Sequence, residues 1–177
     1  WQDRRMDIAS EIGTALAREF ALPDAGTTTS IVVRLLVATV LGALLGYERE
    51  RGGHPAGLKT HILVSAGSAL FVLVPLLAGA SMDATTRVMQ GVVQGIGFLG
   101  AGAILKQASD DRIQGLTSAA GIWLAAAIGM TAGLGKEIAA IIATVIALGV
   151  FWLIPRLLPQ PGSIGPEDGH DGQHPDQ

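Results

Sequence analysis

The chain has 177 residues, enough for one domain, and its hydrophobic residues, 49% of the total, are gathered in long blocks that an ordinary soluble core does not need. Only 15% of the residues are charged, against about 25% in ordinary globular proteins, and the net charge of −3 excludes the basic footprint of a nucleic-acid-binding protein. The absence of cysteine excludes disulfides, thiolate zinc sites and cysteine nucleophiles.

Residues 1–30 are predicted to form an N-terminal amphipathic segment. Pro23 ends a helix whose apolar residues recur at i, i+4 spacing, namely Ile8, Ile12, Leu16 and Phe20. This helix is expected to lie on the membrane surface or to pack on the rest of the protein, and recruitment of a partner is the alternative. No removable signal peptide is predicted, because a basic stretch, an apolar core and a cleavage site do not occur in order.

Five apolar blocks follow, at residues 31–47, 62–80, 88–105, 116–134 and 138–158. Each has about 17–21 residues, the length that a helix needs to cross a hydrocarbon core of about 30 Å. In lipid the backbone must satisfy its own hydrogen bonds, so the blocks should be helices. The predicted fold is therefore all-α, a polytopic membrane bundle of about five transmembrane helices over residues 31–158.

Basic residues predict how this bundle is oriented. The segments 48–61 and 106–115 would share one side of the membrane with the C-terminus, and they carry Arg49, Arg51, Lys59, Lys106 and Arg112. Fewer basic residues lie near the membrane on the other side, which predicts a cytoplasmic C-terminus. Residues 159–177 are rich in Pro, Gly and Asp and are predicted to be a disordered tail.

The third block contains the stretch VMQGVVQGIGFLGAGAIL, in which Gly95 to Gly100 match the dinucleotide-binding pattern G-x-G-x-x-G. That site needs a buried strand before the first glycine and an acidic residue about 20 positions further on. The preceding RVMQGVVQ is a poor strand, and the nearest downstream acidic residues, Asp110 and Asp111, come too early. Helix packing in the membrane is the favoured interpretation.

Close helix packing accounts for more of the glycines. Pairs at G-x-x-x-G spacing let two backbones approach in lipid, where packing rather than hydrophobic burial holds helices together. The candidate packing glycines are Gly42, Gly46, Gly91, Gly95, Gly97, Gly100, Gly102, Gly129 and Gly133. Among them, Gly95→Leu is expected to disrupt the bundle most. Faces that the bundle does not use itself would permit a homodimer.

Two glutamines, Gln90 and Gln94, lie one turn apart beside these glycines. They are costly in contact with lipid and are expected to point inward. One interpretation is a polar pair that only holds the bundle together. The other is an internal polar cavity lined by Gln90, Gln94, Ser65, Ser68, Thr117 and Ser118.

Two charged regions are candidate functional sites. In the segment 48–61, Glu48 and Arg51 can pair if their helix extends to Gly52, and Lys59 sits where the next helix starts. This segment is either a charged collar or a docking or ligand surface. Asp83 and Arg87 form the second region, at the opposite membrane surface.

The sequence predicts neither a catalytic set nor a metal site. No Ser/His/Asp arrangement or H-E-x-x-H motif occurs in a sensible context. Magnesium binding usually needs several oxygen ligands, and no acidic cluster falls inside any of the five blocks. No cofactor is expected.

Three stretches together resemble one family. LLGYERERGGHPAGLKTHILVSAGSALF (residues 44–71), RVMQGVVQGIGFLGAGAIL (residues 87–105) and IQGLTSAAGIWLAAAIGMTAGLG (residues 113–135) resemble the ordered motifs of the MgtC/SapB membrane proteins. The residues that carry the resemblance include Glu48, Arg49, Gly57, Lys59, Thr60, His61, Arg87, Gly95 and Thr117. Lys59 stands where Arg is frequent in that family, and Gln94 where a smaller Ser or Thr is common. Many relatives continue into a soluble C-terminal domain, where this chain has residues 159–177.

The resemblance implies a bacterial inner-membrane protein linked to growth when magnesium is scarce and, in pathogens, to survival inside host phagocytes. It implies a regulator of other membrane proteins, including a magnesium-importing P-type ATPase and the proton-driven ATP synthase. Two functions are therefore weighed. The favoured one is a non-enzymatic regulator that binds other membrane proteins through helix faces and the segment 48–61, and the alternative is a channel or carrier for an ion or small polar solute.

Overall fold

The computed structural model describes residues 2–21, 23–106 and 113–157, and this part of the chain is almost entirely helical. Its helices are α1 (Gln2–Glu19), α2 (Ala25–Arg51), α3 (Leu58–Leu77), α4 (Met82–Ala103), α5 (Leu116–Gly133) and α6 (Glu137–Leu157). Two short strands, β1 (Leu105–Lys106) and β2 (Ile113–Gln114), pair in antiparallel register between α4 and α5. The all-α prediction is confirmed, and the predicted disordered tail lies outside the described residues.

The helices α2, α3, α5 and α6 are long and apolar enough to cross a membrane. The predicted helical membrane bundle is therefore confirmed. The helix α4 has 22 residues, which is long enough, but it does not reach the same hydropathy. The reason is its polar content, since Asp83, Arg87, Gln90 and Gln94 all fall within it.

The predicted N-terminal helix is present as α1, and the apolar side chains of Ile12, Leu16 and Phe20 are exposed. The helix α2 begins earlier than its apolar block because Asp24 caps it. The Asp24 carboxylate accepts hydrogen bonds from the backbone N–H groups of Gly26 and Thr27, at 2.9 and 3.0 Å. A hydrogen bond from the Thr27 hydroxyl, and after it these backbone bonds, hold the pKa of Asp24 below its ordinary value.

The helix α5 lies at the centre of the bundle and contacts α2, α3, α4 and α6. Small residues make this position possible, because a helix with little side-chain bulk lets several neighbours approach. Its buried small residues are Ser118, Gly121, Ala125, Ala126, Gly129, Ala132 and Gly133.

Four of the candidate packing glycines lie at helix crossings. A Cβ added at Gly129 would overlap the carbonyl oxygen of Ser65 on α3, and one added at Gly133 would lie 2.5 Å from the carbonyl oxygen of Ala69. Between α2 and α3, a Cβ at Gly42 would lie 2.7 Å from the His61 carbonyl oxygen, and one at Gly46 would lie 2.7 Å from Leu58 Cα. At these points backbone packs directly on backbone.

Most glycines of α4 do not pack against another described helix, contrary to the sequence prediction. A Cβ added at Gly91, Gly95, Gly97 or Gly102 would meet no atom within 4 Å, whereas one at Gly100 would lie 3.6 Å from Ala119 Cβ. The physical reason is that α4 lies at the edge of the bundle, against α3 and α5, and buries little of its circumference. Spacing alone does not tell which side of a helix faces its neighbours.

The glutamines of α4 do not line an internal cavity. Gln90 and Gln94 are exposed and, with Met130 of α5, line an open groove of about 630 Å³ between α4 and α5, and Thr117 is exposed at the start of α5. Ser65, Ser68 and Ser118 are buried, and the Ser65 hydroxyl donates to the Ala38 carbonyl oxygen at 2.7 Å. Direct backbone packing between α3 and α5 leaves no room for long amides between these serines.

At the end of the bundle where α5 turns into α6, Arg34 joins α2 to that turn. Its Nη1 donates to the Gly133 carbonyl oxygen at 3.2 Å, and its Nε lies 4.0 Å from Glu137 Oε1. The turn residue Gly135 has a φ of +73°, and a Cβ there would also lie 2.6 Å from Arg34 Nη2. The sequence indicated only a charge near the start of a span, because the partners of Arg34 lie about 100 residues away in the chain.

Candidate functional site

At the opposite end of the bundle, α2 and α6 end where α3 and α5 begin, and polar side chains are buried between them. The end of α2 is drawn inward because Gly42 and Gly46 pack closely on α3. Arg49 lies on the same face of α2, three residues after Gly46, and follows them into the interior. It is 3% exposed, although it belongs to the last turn of its helix.

The Arg49 guanidinium stacks on an aromatic ring of α6. Its Cζ lies 4.6 Å from the centroid of the Phe151 ring, within the range of a cation–π interaction. Its Nε and Nη2 have no hydrogen-bond partner among the described residues. The fold thus buries the positive charge of Arg49 and, as far as the structure describes the chain, leaves the N–H groups on Nε and Nη2 free to donate hydrogen bonds to another group.

His61 lies beside this arginine at the start of α3 and is completely buried. Its Nδ1 lies 2.9 Å from the Gly57 carbonyl oxygen, which can only accept, so this ring nitrogen carries the proton. The neutral ring then presents Nε2 as an acceptor. A Cβ at Gly121 on α5 would have His61 Nε2 at 3.1 Å and Phe151 Cζ at 3.8 Å, so glycine is the residue that lets these rings meet α5.

We call Arg49, His61, Ser118 and Phe151 the buried basic end. Ser118 lies one turn before Gly121 and is 1% exposed. In the described part of the chain its hydroxyl and His61 Nε2 lack partners, as does one carboxylate oxygen of the half-buried Glu48. The cluster therefore combines donors on Arg49 with acceptors on His61 and Glu48. Such a set can bind a polar group or hold a fixed arrangement of charge.

The segment 48–61 links α2 to α3 through a turn that follows the last turn of α2. Gly52 follows the last turn of α2, and Gly53 has a φ of +69°, in the left-handed region that favours glycine. Arg51, His54 and Lys59 are exposed, while Thr60 is half-buried. The predicted ion pair between Glu48 and Arg51 is not formed within 4.0 Å, because Glu48 turns toward the interior and Arg51 toward the outside.

His54, in the exposed part of this segment, lies within the electrostatic influence of Arg49. Partial burial lowers the pKa of His54 below its ordinary value, and the positive charge of Arg49 lowers it further. Glu48 acts in the opposite direction. The electrostatic environment of the exposed segment is thus set in part by the buried basic end.

Glu50 fixes the start of α3 and was not identified from the sequence. Its Oε2 accepts a hydrogen bond of 2.7 Å from the Leu58 N–H, a role that the residue before α3, Gly57, has no side chain to perform. A capping signal is normally sought within three residues of a helix start, and Glu50 lies eight residues away. The bond closes the segment into a loop of fixed shape.

Replacing Glu50 by alanine is expected to loosen the first turn of α3. Loss of a capping interaction costs about 1 kcal/mol, which corresponds to about fivefold faster hydrogen exchange at the Leu58 and Lys59 amides. The measurement is hydrogen exchange in detergent, with Glu19→Ala on α1 as the control. Equal exchange in the two variants would show that the Glu50 bond does not hold the loop.

The other charged region lies on α4. Asp83 and Arg87 are exposed in its first two turns, and no ion pair within 4.0 Å joins them or binds them to another described residue. They are separated from the buried basic end by the length of the bundle. The structure therefore does not bring the two predicted charged regions together. Within the described residues, no group of three or more His, Asp and Glu side chains is placed to hold a metal ion.

Comparisons with known proteins give one family. Residues 35–158 match the sequence pattern of the MgtC family. The chain is 46% identical over 121 residues to protein SrpB of Synechococcus elongatus, covering 62% of this chain and 66% of SrpB. It is 42% identical over 117 residues to protein MgtC of Salmonella typhimurium, covering 66% of this chain and 49% of that protein. It is 39% identical over 137 residues to "Putative magnesium transporter YhiD" of Escherichia coli, covering 73% of this chain and 63% of YhiD.

No solved structure matches the chain. The chain spans between about half and two thirds of the length of the relatives it matches. The family match covers α3, α4 and α5, most of α2 and all of α6, and so includes the whole buried basic end. With its apolar spanning helices and this match, the chain is a multi-pass membrane protein that belongs to the MgtC family.

Proposed function

We propose that the chain is a non-enzymatic regulator in the bacterial inner membrane, with its C-terminus in the cytoplasm, that acts by docking on other membrane proteins when magnesium is scarce. The observation that supports the proposal most strongly is that the segment 48–61 is held at both ends and exposes basic side chains between them. The buried Arg49 and His61 hold its ends, and the Glu50 bond closes it. Arg51 and Lys59 nevertheless point outward. A closed loop with exposed basic groups is suited to contact an acidic surface of another protein.

The interior of the bundle supports docking over transport. The helices α3 and α5 meet backbone to backbone at Gly129 and Gly133, so this part of the interior is filled. The longest uncharged polar side chains of α4, Gln90 and Gln94, lie outside. The link to magnesium is inferred from the family resemblance and from the name of the relative YhiD. A P-type ATPase or the ATP synthase is the class of partner that the family resemblance suggests.

A channel or carrier for an ion or small polar solute is the second candidate. It is favoured by the name of YhiD and by the buried oxygen and nitrogen acceptors of Glu48, His61 and Ser118 that the described residues leave without partners. Magnesium flux into liposomes containing the purified protein tests it. The carrier requires flux that Glu48→Gln lowers, whereas the regulator requires no flux above that of empty liposomes.

The docking proposal predicts that removing two exposed charges abolishes function without harming the fold. The double variant Arg51→Gln/Lys59→Gln is expected to lower growth support in low magnesium at least about tenfold, because the docking contacts are lost. Growth of a strain that lacks its own copy is the measurement, with the membrane level of each variant measured alongside.

Lys136→Gln is the matched control, since Lys136 is equally exposed but lies at the other end of the bundle, between α5 and α6. It should support growth like the unchanged protein. Full growth with the double variant at normal protein level would refute docking through the segment 48–61.

A further inference from the structure

A row of exposed residues runs along the outer face of α4. We call it the polar face of α4, and it consists of Asp83, Thr86, Arg87, Gln90, Gln94, Gly97 and Ala101. These positions recur every three or four residues and so lie on one side of the helix. The buried residues of α4, Thr85, Ile96 and Gly100, lie on the other side, against α3 and α5.

This face lies at the depth of the membrane. Val88 and Phe71 line one end of a groove of about 700 Å³ between α3 and α4, and Leu99 and Leu63 line its other end. The helix α4 thus runs beside the middle of α3, from Leu63 to Phe71, and α3 is apolar enough to span. Gln90 and Gln94 lie between the two ends of this contact. Two amides facing hydrocarbon are costly, and they need a polar partner.

A second copy of the chain supplies such a partner. Both copies insert with the same orientation, so a two-fold axis that relates them runs along the membrane normal and their α4 helices are parallel. Each residue then meets the same depth of the other helix. An amide both donates and accepts, so Gln90 and Gln94 can bond with the same residues of the second copy. Gly97 and Ala101 are small and let the two helices approach.

The charges on this face are also self-complementary. Asp83 and Arg87 are exposed, and neither forms an ion pair with a described residue. They are four residues apart, or about 6 Å along the helix axis, a distance that an arginine side chain reaches. Across a two-fold axis, Asp83 of each copy therefore lies within reach of Arg87 of the other. Two ion pairs would form at residues for which the described part of a single chain offers none.

We propose that the polar face of α4 is the interface of a parallel homodimer, in which amides at mid-membrane and two Asp83–Arg87 pairs at one surface join the copies. The interface is separate from the segment 48–61. Docking of a regulatory target and self-association can therefore fail independently.

The absence of cysteine makes disulfide crosslinking a clean test. Single substitutions Thr86→Cys, Gly97→Cys and Ala101→Cys place a thiol on the polar face, and Val145→Cys places one on α6, where Val145 is 63% exposed. A disulfide needs Cα atoms about 4.4–6.8 Å apart, so only positions beside the axis should crosslink in oxidised native membranes. We expect about tenfold more covalent dimer from the face positions than from Val145→Cys.

Charge exchange then identifies the partner as a second copy. Asp83→Arg should weaken dimerisation in detergent about tenfold, because four arginines then meet at the axis. Asp83→Arg/Arg87→Asp should restore it, since both copies change together. Equal crosslinking at Val145→Cys, no dimer at any face position, failure of the exchange to restore the dimer, or crosslinks only to a different protein would each overturn the proposal.

Discussion

Gly129→Leu is expected to prevent stable assembly of the bundle. Even a Cβ at this position would overlap the Ser65 carbonyl oxygen, which belongs to the backbone of α3 and cannot turn aside. The helices α3 and α5 would have to separate, and α5 is the helix that contacts α2, α3, α4 and α6. Overpacking a core costs about 1–3 kcal/mol, and a clash with backbone should exceed that range. The measurement is unfolding in mixed micelles, followed by helicity.

Gly95→Leu is the matched control. It adds the same side chain to a glycine of α4, where a Cβ meets nothing within 4 Å. Its unfolding free energy should stay within about 0.5 kcal/mol of that of the unchanged protein. If Gly95→Leu were the more damaging of the two, α4 would have to be packed inside the bundle, and the placement of α5 at the centre would be wrong.

Arg49→Leu is expected to abolish growth support in low magnesium while leaving the protein folded. Arg49 is 3% exposed, and its Nε and Nη2 bond to no described residue. Hydrogen bonds from these two atoms therefore do not offset the free-energy cost of burying the charge among the described residues. Replacing a buried ion pair by apolar residues of similar volume is often neutral or stabilising, and removing a buried charge that forms no ion pair in the described part of the chain should act in the same direction. The unfolding free energy should therefore be unchanged or higher. Ionisable groups kept at such a cost are typical of functional sites.

Two further variants separate charge from packing. Arg49→Lys keeps the charge but loses the planar fork, and it should also fail to support growth. Phe151→Leu removes the ring beneath the guanidinium and should lower stability by about 1 kcal/mol. Growth at the normal level with Arg49→Leu would contradict a functional role. Marked unfolding of that variant would instead make Arg49 a structural residue.

The fold could be predicted largely from the sequence because the membrane imposes few alternatives. Long apolar blocks must be helices in lipid. Four of the predicted blocks agree closely with helices that are long and apolar enough to cross a membrane. The start of α5 at Leu116 coincides with the start of its block. Asp24 extended α2 beyond its block, since a capping side chain acts outside the apolar pattern.

The candidate site was less accessible to sequence reasoning. The segment 48–61 was recognised by its charges, among them Arg49, but only the family motif marked Arg49 and His61, its two least exposed groups, as site residues. What buries them is the close approach of α2 and α3 at Gly42 and Gly46, a tertiary contact.

The helix α4 shows where periodicity is insufficient. The sequence predicted that its glycines pack on other helices and that its glutamines point inward, but periodicity does not specify which face meets α3 and α5, and both predictions were wrong for most of these residues. The prediction that Gln90 and Gln94 point inward rested on the assumption that their side-chain amides form hydrogen bonds within one chain. The structure instead leaves them on the outside, where a second chain can satisfy them.

Photo-crosslinking from position 54 in living cells tests the central claim that the segment 48–61 docks on another membrane protein. A photoreactive residue replaces the exposed His54, which leaves Arg51 and Lys59 in place, or Lys136 as control, in cells starved of magnesium, and mass spectrometry identifies the products. Docking predicts one dominant membrane protein captured from position 54 and absent at position 136. The same products from both positions, or only copies of this chain, would contradict it.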